Sequence, residues 1–131
     1  MQFQAVRYEL TLNNILEDTS TFYADLIGEY DKAAQHYRYA ENQENALVEI
    51  KVLDQTIDLV RKSSALAHLK FDADRRTAFY IEDAQTRFEG ELETVKLVYR
   101  PEYLFVHYRL YTQENVIAEI EMELKTEVPQ A

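Results

Sequence analysis

"TFYADLIGEYDKAAQHYRYAENQEN", residues 21–45, decides between two folds. Phe22, Leu26, Tyr30, Ala33 and Tyr37 fall at three- and four-residue steps, the spacing of one apolar helix face. The same residues also read as two strands. Phe22, Ala24, Leu26, Gly28 and Tyr30 alternate along the first, and Gln35 to Glu41 form the second. Taken locally, the two readings balance. One predicts an α+β fold, with a helix within residues 20–41 against a curved sheet; the other predicts an all-β chain.

The flanking sequence alternates with period two. "VRYELTL" puts Val6, Tyr8, Leu10 and Leu12 on one face. "ALVEIKVLD" sets Val48, Ile50 and Val52 opposite Glu49 and Lys51. Leu104, Val106, Tyr108 and Leu110 share a face, as do Ala118, Ile120, Met122 and Leu124. Polar breaks separate these runs: "NQEN" (42–45), "DQ" (54–55), "KSS" (62–64), "DADR" (72–75), "EDAQ" (82–85), "RPE" (100–102) and "QEN" (113–115). Such spacing predicts a single antiparallel meander barrel over residues 1–131, of roughly 8 to 10 strands. With only 2 Gly and 2 Pro, Asn and Asp are expected to supply many turns.

Five segments then follow a recognisable order: "TIDLVRKS", "LAHLKFD", "RTAFYIED", "TRFEGELETVKLVYR" and "FVHYRLY". They read as an apolar strand ending in Arg, a strand ending in Phe, a strand carrying Tyr, a Thr-containing strand and a Tyr-x-Leu strand. This order resembles the YwiB-like family, with Gly28 in "DLIGEY" and "HYRYAE" similar to its second and third strands. Many relatives have a Thr-Pro-x-Gly-like turn where this chain has "IEDAQT". The resemblance implies small bacterial proteins of unknown function built as lipocalin-like (calycin) β-barrels. It turns residues 20–41 toward strands and implies no reaction.

Composition narrows the function. The net charge of −10 argues against nucleic acid, whose phosphates require clustered Lys and Arg, and against anionic membrane surfaces. Without cysteine there is no disulfide, thiolate catalysis or Cys-ligated metal. No apolar run approaches the ~18–20 residues of a membrane helix, and "MQFQAVRYEL" lacks a signal-peptide pattern. The expected address is the cytoplasm.

The chemistry is sparse. Arg61 follows Ile57 and Leu59 on one alternating face. It either closes the barrel end on an internal partner, Glu41 or Tyr108, or reads an anion with its planar fork. The structural role is the preferred reading, because a buried charge is usually paired. Tyr37, Tyr39, Tyr80, Tyr99 and Tyr108 are candidate wall or mouth residues, so the interior set is Arg61, Tyr108, Tyr80, Tyr37, Tyr39 and Glu41. His36, His68 and His107 lack a metal-ligand spacing, and Glu119, Glu121 and Glu123 read as a solvated face. Ser20, Ser63 and Ser64 form no familiar hydrolase arrangement, and no catalytic residue, metal or cofactor is expected. The leading expectation is non-enzymatic binding of a small, partly apolar molecule in the barrel mouth. The alternatives are an interaction module with a filled barrel and an enzyme on the same scaffold; a homodimer is compatible with the sequence.

Overall fold

The computed structural model describes residues 2–41 and 45–128. These form strands β1 (Gln4–Asn14), β2 (Thr19–Asp31), β3 (His36–Glu41), β4 (Ala46–Val52) and β5 (Ile57–Lys62). They continue as β6 (Leu66–Phe71), β7 (Thr77–Glu82), β8 (Arg87–Arg100), β9 (Tyr103–Thr112) and β10 (Asn115–Glu127). Each strand pairs antiparallel with the next, and β1 pairs with β10 to close the barrel. The all-β expectation is met, and no described residue is helical.

The helical alternative for residues 20–41 is therefore overturned. Tyr37, Tyr39 and Glu41 are all buried, whereas Arg38 and Ala40 between them are not. A period of two places all three inside; a helical stripe would not. The polar break at "NQEN" lies outside the described residues except for Asn45, which occupies a turn.

The inward face of β2 departs from simple alternation. Tyr8 pairs with Leu26 and Leu10 with Tyr23, so Ala24 and Asp25 together oppose Glu9. Asp25 has φ 57°, and this bulge inserts one residue into β2. The face flips there: Tyr23 packs against the core, and Phe22 is 60% exposed. Similar register shifts interrupt β8 between Thr94 and Lys96 and β10 between Val116 and Ala118.

Asp18 and Asn45 supply left-handed turn residues as expected, but Gln35, Glu102, Gln113 and Glu114 do so too. Pro101 fixes the first position of the β8–β9 turn, and Glu102 takes the left-handed second position at φ 69°. Gln113 and Glu114, both at positive φ, form the two-residue β9–β10 turn whose twist suits a hairpin.

The barrel has two unlike halves. At the end bearing the β4–β5 turn, Tyr30, Tyr37, Ile50, Ile57, Phe71 and Leu104 are almost completely buried. Tyr30 and Tyr37 stack there with ring centroids 5.0 Å apart. Tyr8 packs near them and donates its hydroxyl to the Glu29 carbonyl. The other half carries Arg61.

Candidate functional site

Arg61 enters the barrel because β5 alternates Ile57, Leu59 and Arg61 inward, and β4 places Val48 opposite it. Glu41 is the last inward residue of β3. Arg61 Nη2 donates to Glu41 Oε2 at 3.1 Å, and Nε donates to the same oxygen at 3.3 Å. Nη1 donates to Ser63 Oγ at 3.4 Å. The guanidinium is thus engaged by a protein carboxylate, as the structural reading required. Tyr108, the other partner considered for Arg61, packs its ring on Phe71 at 5.0 Å.

Beside the ion pair lies a cavity of about 310 Å³. Arg61, Glu41, Tyr39 and Tyr108 line it together with apolar side chains, among them Leu59, Leu69 and Met122. Tyr39 and Tyr108 are 4% and 9% exposed, and neither hydroxyl is hydrogen-bonded to a described residue. Burial pushes both phenols up from the ordinary tyrosine range; at Tyr39 the nearby Glu41, Tyr8 and Tyr108 add to the effect. Both therefore remain protonated, able to donate a hydrogen bond as well as to accept one.

The β2–β3 ladder beside the cavity is short among the described residues. Among the described residues, β2 pairs with β3 from Gly28 to Asp31, against Tyr39 to His36. Tyr23 and Glu41, one on each strand, both line the cavity.

A family model for a domain of unknown function, DUF1934, matches residues 6–124. The chain belongs to the DUF1934 family. No curated protein matches it. In three dimensions it is similar to the crystal structure of the ywiB protein from Bacillus subtilis, with a TM-score of 0.75 and 10% identity. That likeness spans 99% of this chain and 95% of the other, and it concerns the fold. The expected YwiB-like membership is thereby established.

Two of the six residues expected inside this DUF1934 barrel do not reach the cavity. Tyr80 lies on the outer face, because its neighbour Phe79 takes the inward position of β7. Its ring faces His68 at 5.5 Å, and the Arg87 guanidinium sits 4.1 Å above it. Tyr37 points inward but belongs to the filled half, stacked on Tyr30. Tyr99, also considered, is 42% exposed near the opposite end. The lining residues Leu12, Ala67, Leu69 and Met122 were not singled out; inward alternation alone could have nominated them.

The "IEDAQT" segment, where the family turn is absent, keeps its hairpin through Asp83. Its Oδ1 accepts the Gln85 and Thr86 amides at 2.8 Å each. The histidines are dispersed. His36 bonds Glu49 at 2.7 Å, His68 packs on Tyr80, and His107 bonds Glu119 at 2.7 Å. Glu119 is more enclosed than a solvated face predicts, because His107 and Arg109 both bind it. Those two hydrogen bonds hold its carboxyl below the usual range. Among the described residues no metal-competent cluster occurs, and no helix is long and apolar enough to cross a membrane.

Proposed function

We propose that this DUF1934 protein binds a small, largely apolar molecule in the Arg61-end cavity without transforming it. The supporting observation is a cavity of about 310 Å³ in a barrel whose other half is filled. Ligand pockets begin near ~300 Å³, and a dry apolar cavity of ~150 Å³ already accepts benzene. The acidic composition supports a protein that avoids nucleic acid and anionic membranes, and the lack of cysteine suits a cytoplasmic address. A second reading, an interaction module, draws support from Ile27 and Leu47, which are 72% and 61% exposed on one outer groove.

Ala67 lines the cavity, and Ala67→Phe would project a ring into it. Native mass spectrometry of freshly purified wild type should show a bound small molecule, or accept an added one such as butyrophenone. Ala67→Phe should lose either signal while unfolding within a few degrees of wild type. Undiminished loading of Ala67→Phe would refute cavity binding.

A further inference from the structure

Resting on that reading, we propose that the ligand is uncharged and carries a carbonyl-type oxygen that accepts a hydrogen bond from the Tyr39 or Tyr108 hydroxyl. Two observations converge on this chemistry. First, both hydroxyls belong to side chains more than nine-tenths buried that line the cavity, and neither is bonded to a described residue. A ligand that fills the cavity displaces water from these hydroxyls, and an acceptor that it carries restores the hydrogen bond the water provided. Second, the cation lining this cavity is already engaged: two nitrogens of Arg61 are turned to Glu41 Oε2.

An anionic ligand would have to displace Glu41 or bring an uncompensated negative charge beside it. Either arrangement is unfavourable in a buried site. A pure hydrocarbon would fill the apolar wall but leave both hydroxyls unpaired. A ketone, ester or amide satisfies the phenols and leaves the ion pair intact. The selectivity is of the kind in which a site built to hydrogen-bond rejects an analogue lacking the matching group.

The test is an NMR titration of wild type, Ala67→Phe and Tyr39→Phe/Tyr108→Phe with butylbenzene, butyrophenone and phenylbutyrate. These probes share a ring and a short chain, and differ in having no oxygen, a carbonyl or a carboxylate. The double variant keeps both rings, which pack on Tyr8 and Phe71, so the fold is retained. Wild type should bind butyrophenone roughly 3- to 10-fold more tightly than butylbenzene, the gain of one net hydrogen bond. Phenylbutyrate should bind more weakly than butyrophenone. In the double variant, butyrophenone should fall to the butylbenzene level while butylbenzene is unchanged or improved. Tighter binding of phenylbutyrate, or an undiminished ketone preference in the double variant, would overturn the proposal. Butylbenzene binding that disappears in Ala67→Phe, with no ketone preference in wild type, would also overturn it while leaving cavity binding intact. Failure of all three probes to bind would overturn both.

Discussion

Arg61→Met should unfold at a markedly lower urea concentration than wild type. The change strands the Glu41 carboxylate, whose side chain is 10% exposed, without the guanidinium that now holds it. Breaking a wholly buried pair costs ~3–5 kcal/mol. Arg61 is 30% exposed, so water recovers part of that, and a loss of about 2–3 kcal/mol is expected. For a chain of this size the thermal midpoint should fall by roughly 10 °C. Arg61→Lys should recover only part of the loss, because an ammonium cannot reproduce the planar fork. Arg61→Met/Glu41→Leu should recover most of it, because no charge is then left buried. Urea and thermal unfolding of the four proteins measure this directly. An unmoved midpoint in Arg61→Met would show that the pair does not close the barrel end.

Gly28→Ala should be at least as damaging. Gly28 lies where β2 meets both Val6 of β1 and Tyr39 of β3. A Cβ there would overlap the Arg38 carbonyl oxygen, a backbone atom that cannot swing away, and would lie 2.7 Å from the Tyr8 ring. Among the described residues the β2–β3 ladder covers four residue pairs, so any displacement affects a large share of it. Overpacking typically costs ~1–3 kcal/mol, and the backbone clash puts this case near about 3 kcal/mol. Tyr8 should also loosen its hydroxyl bond to Glu29, visible as a shift in near-ultraviolet tyrosine dichroism. A variant within about 0.5 kcal/mol of wild type would mean that the strands separate without penalty.

The strand order was legible because most inward faces keep strict alternation. The long register of β9 with β10 joins two such runs, interrupted only at Ile117. The Arg61–Glu41 pair was legible for the same reason: both residues occupy inward positions, and a buried cation needs a partner. Phe22 was misplaced because one left-handed residue, Asp25, shifts every side chain before it to the other face. Nothing in the identity of that aspartate distinguishes a bulge from a turn. Tyr80 was misplaced because two adjacent aromatics, Phe79 and Tyr80, compete for the inward position and either suits a strand. Tyr37 and Tyr39 share a face and differ only in depth along the barrel. Whether each meets a packed ring or open space depends on residues from other strands. The cavity volume is likewise a sum over side chains from β1, β3, β5, β6 and β10, among others, which no local pattern encodes.

Met122 offers the most direct view of that cavity. It lines the wall from β10, and the chain has only 2 methionines, so a carbon-labelled methyl spectrum is simple to read. Titration with butyrophenone should move the Met122 methyl resonance progressively to a plateau, and the same titration of Ala67→Phe should leave it in place. A Met122 resonance that stays fixed in wild type up to the solubility limit of butyrophenone would contradict the account.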